Sequence, residues 1–216
     1  MKVTDSVLKL DCTKGSYVYA VIDDGVTLID TSLPKSGDAI LKELSSYGIK
    51  PCNIKRILLT HDDVDHIGNA AYLQEKCGCD ILISEIDYPC MIGTKKRYGI
   101  KKVMSAITKT EKPKSIKIID CDSIGKIEVI STPGHTPGHT CFRYKDVIFG
   151  GDLFSTKNGK LTLLPFYMNW NKKAQINSIK NLSVEGVRYL CPAHGEFVSA
   201  GETWENFRNS FVPFNT

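Results

Sequence analysis

The segment Thr60-His61-Asp62-Asp63-Val64-Asp65-His66 is the densest group of potential metal ligands in the chain. Five of its seven side chains carry an imidazole or a carboxylate. His61 and Asp63 are two residues apart and can converge from one face of an extended turn, whereas Asp65 and His66 can face a neighbouring point. Because divalent cations of borderline hardness bind imidazole nitrogen and carboxylate oxygen together, this spacing predicts two adjacent metal sites.

The other histidines all lie beside glycine or proline. The chain has only five histidines, and His135 and His139 occupy Thr132-Pro-Gly-His-Thr-Pro-Gly-His-Thr140. His194 lies in Cys191-Pro-Ala-His-Gly195. Histidines scattered at random over a surface rarely share such a context, which indicates that they have a common role.

Asp152 follows two glycines in Phe149-Gly-Gly-Asp-Leu153. Glycine lets the backbone approach its surroundings closely, so this carboxylate suits a position shared by two cations. Each of the candidate ligand groups also follows a predicted strand, where a sheet holds side chains rigidly and the next loop stays free to fit a substrate.

Strands and helices alternate in the first half of the sequence, and the second half is richer in strands. Predicted strands cover residues 16–22, 26–29, 54–59, 81–83, 115–119, 126–130, 140–144, 147–149 and 187–190. Predicted helices run from Pro34 to near Gly48 and over residues 69–76 and 172–182. This order suggests two sheets packed together with helices outside them.

Composition limits the classes of function. With 216 residues, 42% of them hydrophobic, the chain is long enough for one domain with a substantial core. A formal net charge of +4 is too mild to argue for nucleic-acid or membrane binding. The start of the sequence has no apolar leader and no run spans a bilayer, so we expect a cytoplasmic protein with reduced cysteines.

Positive charge is concentrated in one segment. Residues 95–117 carry nine basic side chains and only one acidic side chain, a local balance of +8. We interpret residues 86–117 as a basic insertion over the active-site groove, which favours an anionic small molecule as substrate. The alternative is a solvated surface whose lysines only maintain solubility.

Taken in order, the motifs 28–31, 60–68, 132–140, 150–152 and 192–195 resemble those of the metallo-β-lactamase fold superfamily. The resemblance implies an α+β fold, a four-layer αββα sandwich of two mixed β-sheets with helices on the outer faces. It also implies that residues 1–216 form a single domain, with a binuclear metal site in a groove at one edge of the two sheets.

The resemblance further implies which residues bind the metals. His61, Asp63 and His135 would form the first site, Asp65, His66 and His194 the second, and Asp152 would bridge them. Asp30 and His139 are expected to support these ligands through hydrogen bonds instead of binding a metal.

Asp63 departs from the pattern of the superfamily. The usual motif is H-x-H-x-D-H, and Asp63 replaces its second histidine. The superfamily implies two divalent cations, with zinc as the first expectation, but a harder carboxylate ligand shifts the preference toward iron or manganese. The flavodiiron proteins of the superfamily have a similar carboxylate at this position. The alternative is a degenerate member that binds no metal.

A metal-dependent hydrolase is the predicted function. A water held between two cations is acidified, and we expect it to attack an ester, thioester, lactone or amide bond, with Asp65 as the catalytic residue that orients the water or accepts its proton. A phosphodiesterase or nuclease and a di-iron redox protein are the alternatives. Nucleic acid is not the expected partner, because the chain lacks the additional domain that RNA-cutting relatives use.

Aromatic residues between Asp152 and His194 allow two interpretations. They are either walls of a substrate pocket or parts of the core: Phe154, Leu163, Phe166, Tyr167 and Trp170. Tyr167 or Asn169 is a candidate donor to an oxyanion in either case.

Overall fold

The computed structural model describes residues 1–97, 99, 101–102, 107–108 and 110–211. The chain divides into two compact units, Met1–Asp120 (unit 1) and Cys121–Thr216 (unit 2). Each unit is built around a mixed β-sheet with helices, which confirms the predicted α+β class. Among the described residues, no helix is both long and apolar enough to cross a membrane.

Unit 1 contains a seven-stranded sheet whose strands lie in sequence order. They are β1 (Lys2–Thr4), β2 (Val7–Lys9), β3 (Tyr19–Asp23), β4 (Gly25–Ile29), β5 (Ile54–Leu58), β6 (Asp80–Ser84) and β7 (Lys117–Ile119). Strands β1 to β4 pair antiparallel and β4 to β7 pair parallel. The predicted strands 16–22, 26–29, 54–59, 81–83 and 115–119 overlap β3 to β7 in this order. Three-residue strands such as β1 and β2 are too short to leave an alternating pattern in the sequence.

The helices of unit 1 are α1 (Gly37–Ser46), α2 (Val64–Ile67), α3 (Ala70–Cys77) and α4 (Tyr88–Met91). Helix α1 begins at Gly37, so the predicted start at Pro34 was wrong. Lys35 adopts φ +75°, a left-handed conformation that interrupts a helix. The side-chain oxygen of Asn69 instead accepts hydrogen bonds from the backbone N–H groups of Ser36 and Gly37, both at 3.0 Å.

Apolar side chains from the sheet and from α1 and α3 form the core of unit 1. Leu28 and Ile57 on neighbouring strands are fully buried, as are Ile40 and Leu44 of α1 and Leu73 of α3. Each such side chain contributes roughly 1.5–3 kcal/mol through burial. The core therefore holds the carboxyl ends of the parallel strands β4 and β5 at one edge of the sheet, where the metal-ligand candidates begin.

Unit 2 contains a six-stranded sheet with the order β15-β14-β11-β10-β9-β8 and a separate hairpin of β12 and β13. The strands are β8 (Ser123–Ile124), β9 (Ile127–Ser131), β10 (Thr140–Tyr144), β11 (Val147–Gly151), β12 (Ser155–Lys157), β13 (Lys160–Thr162), β14 (Tyr189–Pro192) and β15 (Val198–Ser199). Strands β11 and β14 pair parallel, and helix α5 (Lys172–Asn181) lies between them in sequence. A parallel pair brings both carboxyl ends to the same edge.

Helix α6 (Gly201–Asn209) is an element that our sequence analysis does not predict. Trp204 and Phe207 of α6 are buried, and Trp204 makes an edge contact with Phe154 at 5.8 Å between ring centroids. Phe154 is thus part of the core of unit 2. The spacing of Trp204, Phe207 and Phe211 is typical of an amphipathic helix, so this pattern could have predicted α6 from the sequence.

The basic segment belongs to the connection between β6 and β7, which pair parallel. Helix α4 lies in the same connection, before the basic segment. Residues 98, 100, 103–106 and 109 of the predicted insertion lie outside the described residues. Its placement over a groove and the single-domain organisation of residues 1–216 stay predictions.

Candidate metal centre

Residues 60–66 of unit 1, called the metal-ligand loop after their candidate ligands, run from the end of β5 into α2. Its histidines, His61 and His66, are fully buried, and their ring centroids lie 3.9 Å apart. The backbone carbonyl of Asp63 accepts hydrogen bonds from the N–H groups of His66 and Ile67, at 2.9 and 3.0 Å. The short helix therefore folds back on Asp63 and brings the two histidines together.

Asp30 supports this loop from the end of β4. Its carboxylate accepts hydrogen bonds from the backbone N–H and the hydroxyl of Thr60, both at 2.8 Å, and lies 2.8 Å from Nδ1 of His66. Asp30 adopts φ +61°, a conformation that aspartate tolerates better than most residues. The position agrees with the expected supporting role, because the carboxylate fixes the ring of His66.

The two ring nitrogens of each histidine in this loop have different surroundings. Nδ1 of His61 lies 3.0 Å from the hydroxyl of Thr60, and its Nε2 lies 3.3 Å from a carboxylate oxygen of Asp63. Asp30 holds Nδ1 of His66, and Nε2 of the same ring lies 3.9 Å from the carboxylate of Asp65. An oxygen partner on one ring nitrogen and an anionic site at the other is the usual arrangement of metal-binding histidines.

Two basic side chains from the basic segment contact successive acidic residues of the loop. Nε of Arg97 lies 2.7 Å from the carboxylate of Asp62, and Nζ of Lys101 lies 2.6 Å from that of Asp63. Arg97 also donates a hydrogen bond to the backbone carbonyl of Asp62. Neither contact could be predicted from the sequence, because the partners are 35 or more residues apart.

Burial raises the pKa of Asp62 to about 7, and the nearby carboxylate of Asp87 adds to the rise while Arg97 opposes it. Asp62 and Asp87 are both buried. A carboxyl group removed from water is unfavourable in its charged form unless a cation lies nearby. Arg97 offsets part of this cost and fixes the backbone next to His61 through its hydrogen bond to the carbonyl of Asp62.

In unit 2, His135 follows β9 and is fully buried. Its Nε2 lies 3.0 Å from Oδ2 of Asp152, and its Nδ1 lies 2.9 Å from the side-chain oxygen of Asn169. Gly134 allows the turn to pack against α5, because a side chain there would overlap the backbone of Gln175. Asn169, proposed from the sequence as an oxyanion donor, orients His135 through its oxygen.

Asp152 directly follows β11, and its two carboxylate oxygens face different histidines. Oδ2 lies 3.0 Å from Nε2 of His135, and Oδ1 lies 3.3 Å from Nε2 of His194. His194 follows β14, the parallel neighbour of β11. A carboxylate placed between two imidazoles in this way can serve two cations at once.

His139 holds the backbone of this group. Its Nε2 accepts a hydrogen bond from the N–H of Asp152 at 3.1 Å, and its Nδ1 lies 2.8 Å from the hydroxyl of Thr132. Both ring nitrogens thus have protein partners, in agreement with the expected supporting role. Phe166, Tyr167 and Trp170, three of the five possible pocket residues, are exposed in unit 2.

The comparisons with known proteins agree with these features. The sequence model of the Metallo-beta-lactamase superfamily matches residues 11–194. An uncharacterized protein, YobT, from Bacillus subtilis is 30% identical over 197 residues, which cover 82% of this chain and 81% of YobT. Hydroxyacylglutathione hydrolase GloC from Haemophilus influenzae is 28% identical, with 74% of this chain and 76% of that enzyme covered.

Solved structures show the same fold. The crystal structure of the metallo-beta-lactamase family protein TTHA1429 from Thermus thermophilus matches with a TM-score of 0.74 and 20% identity, over 97% of this chain and 80% of that protein. Together with the sequence match over most of the chain, this places the protein in the metallo-beta-lactamase superfamily of metallo-hydrolases.

Proposed function

We propose that the protein is a hydrolase in which two divalent cations activate water against an ester, thioester, lactone or amide bond. The observation that carries this proposal is the orientation of the buried histidines. In His61, His66 and His135, Nδ1 is held by an oxygen partner and Nε2 faces a carboxylate. Neutral imidazoles and carboxylates in this arrangement fit a divalent cation.

The proposed ligands are the seven residues that the sequence motifs suggest. His61, Asp63 and His135 would hold the first cation, Asp65, His66 and His194 the second, and Asp152 would be shared. Zinc is the metal we propose, on the strength of the imidazoles, and Asp63 makes iron or manganese the alternative. When bound, the two cations would acidify a water molecule and polarise the carbonyl of the substrate.

Asp65 is the residue to which we assign the proton transfer. Its side chain is 23% exposed, more than that of any other candidate ligand in its loop, and its backbone carbonyl accepts a hydrogen bond from Ser16 at 2.6 Å. The carboxylate would orient the attacking water and accept its proton as the bond to the acyl carbon forms. The proton then passes to the leaving group as the acyl bond breaks.

The substrate we propose is a small acyl thioester or ester. The similarity to a hydroxyacylglutathione hydrolase supports a thioester. The basic segment supports an anionic substrate less strongly than its charge of +8 suggests. Arg97, Lys101 and Lys117 are ion-paired with Asp62, Asp63 and Asp80, respectively.

We also propose a reducing compartment such as the cytoplasm. The chain has eight cysteines, and the thiols of Cys12, Cys52, Cys77, Cys79, Cys90 and Cys121 are free. Reduced thiols in such numbers are typical of reducing compartments.

A substrate panel with metal control tests the function. The zinc-loaded protein is assayed with a hydroxyacylglutathione, a nitrophenyl ester, a lactone and a bis-nitrophenyl phosphate, with and without a chelator. We expect chelator-sensitive turnover of an acyl substrate, restored by added metal. Turnover of the phosphodiester alone would instead support the phosphodiesterase alternative, and turnover that persists in the metal-free protein would contradict the proposal.

A further inference from the structure

A buried ion pair accompanies the unusual residue Asp63. Nζ of Lys101 lies 2.6 Å from Oδ2 of Asp63, and the two side chains are only 9% and 11% exposed. Lysine is rarely buried to this extent unless it is paired. The same carboxylate oxygen lies 3.3 Å from Nε2 of His61. An ammonium group therefore sits directly beside a proposed ligand of the first cation.

Arg97 holds the same segment in place independently of Asp63. Its guanidinium contacts both the carboxylate and the backbone carbonyl of Asp62, at 2.7 and 3.0 Å from Nε. Arg97 and Lys101 are four residues apart and contact successive residues of the metal-ligand loop. The position of Lys101 next to the loop is thus supported by a second anchor.

The charges of Asp63 and Lys101 cancel. The usual motif has a neutral imidazole where Asp63 stands, so the substitution alone would add one negative charge to the ligand set. The ammonium of Lys101 adds one positive charge at hydrogen-bond distance. The pair therefore has the net charge of the histidine that it replaces, while one partner alone would change the local electrostatic energy of a bound cation.

We propose that Lys101 is a positioning residue for the metal centre, and that Asp63 and Lys101 together act as a charge-neutral replacement for a histidine ligand. Lys101 holds one carboxylate oxygen, and Asp63 presents the other to the first cation. The inference rests on the proposed function, in which Asp63 is a metal ligand. It assigns to the basic segment a role in metal binding and not only in the binding of substrate.

Double-mutant analysis of metal affinity tests this coupling. The variants are Lys101→Met, Asp63→His and the double variant, with the exposed neighbour Lys102 changed to Met as the matched control. The dissociation constants and number of bound Zn²⁺ ions are measured by competition with a chromophoric chelator. Urea unfolding of the metal-free proteins shows whether each variant is folded.

Each single substitution should weaken the more weakly bound Zn²⁺ by about 10–100-fold. Asp63→His leaves the ammonium of Lys101 uncompensated beside the cation, and in Lys101→Met the carboxylate of Asp63 loses the partner that positions it. The double variant should return to within about threefold of the natural protein, a coupling that simple ligand loss would not produce. Lys102→Met should bind as the natural protein does. Lys101→Arg, which keeps the charge, should retain most of the affinity even if Lys101→Met does not fold.

Three results would overturn the proposal. If the loss of Zn²⁺ affinity in the double variant equals the product of the two single losses, Asp63 and Lys101 act independently and are not coupled. An increase from one to two bound ions in Lys101→Met would show that the ammonium occupies a metal position. A Lys101→Arg variant that folds but loses affinity as Lys101→Met does would exclude the role of charge. Failure of the natural protein to bind any metal would instead contradict the proposed function itself.

Discussion

The two units supply their proposed ligands in different ways. Unit 1 places four candidates within residues 61–66, in one continuous segment that runs from the end of β5 into α2. Unit 2 places His135, Asp152 and His194 after three different strands, β9, β11 and β14. A local cluster depends mainly on its own loop and its supports, whereas dispersed ligands depend on sheet register and on the packing of every turn. Substitutions in the two units should therefore fail for different reasons.

Asp152→Ala should have the largest effect, because Asp152 is the only carboxylate among the proposed ligands of unit 2 and faces both of its histidines. Loss of the shared ligand should lower the hydrolysis rate by more than about 1000-fold and reduce the bound metal below two ions per chain. Turnover kinetics and elemental analysis check this, with the exposed Asp122→Ala as the control. Full activity in Asp152→Ala would mean that the dispersed ligands are not catalytic.

Gly195→Ala should destabilise unit 2 through the turn that carries His194. Gly195 adopts φ +94°, and a side chain there would overlap the backbone oxygen of Thr156, whose N–H donates to the carbonyl of His194. We expect the free energy of unfolding of the metal-free protein to fall by about 3 kcal/mol.

Gly159→Ala is the matched control, because Gly159 adopts φ +74° and a side chain there meets open space. It should lose only about 1–2 kcal/mol from backbone strain. Urea denaturation measures both variants. Equal losses would show that packing at the His194 turn is not the source of its stability.

Asp30→Asn and Asn169→Ala compare the supports of the two units. Asp30 is a buried carboxylate that contacts both Thr60 and His66, whereas Asn169 makes one neutral contact with His135. Zinc affinity should fall by about 100-fold in Asp30→Asn and by about 10-fold in Asn169→Ala. Competition titration with a chelator gives both values. The reverse order would contradict the view that unit 1 relies on one strong support.

The smallest expected effect is on the choice of metal. Replacing both Asp63 and Lys101 by His and Met restores a softer ligand, so the ratio of zinc to iron and manganese bound after expression in mixed metals should rise a few-fold. Elemental analysis of the double variant and the natural protein, expressed side by side, measures this ratio. An unchanged ratio would show that the residue at position 63 does not set the metal preference.

The sequence predicts the local part of this structure well and the long-range part less well. The strands that precede His61 and Asp152 follow from apolar runs, and the spacing within residues 60–66 indicates a ligand cluster without any structure. The start of α1 was missed because Lys35 adopts a left-handed conformation and the N–H groups of Ser36 and Gly37 donate to the distant side chain of Asn69.

Contacts between distant residues could not be predicted for the same physical reason. Lys101 pairs with Asp63, and Asn169 pairs with His135, in each case across more than 30 positions of the sequence. No periodic pattern in the sequence identifies Lys101 or Asn169 as such a partner. Helix α6 is different, because its apolar spacing was present in the sequence.

The metal content of the purified protein is the direct test of the proposed two-metal centre. Elemental analysis is performed on the natural protein and on His194→Ala after expression in zinc-supplemented medium, with circular dichroism to show that both are folded. We expect close to two transition-metal ions per chain in the natural protein and fewer in His194→Ala. A folded natural protein that contains no metal would contradict the proposed metal centre.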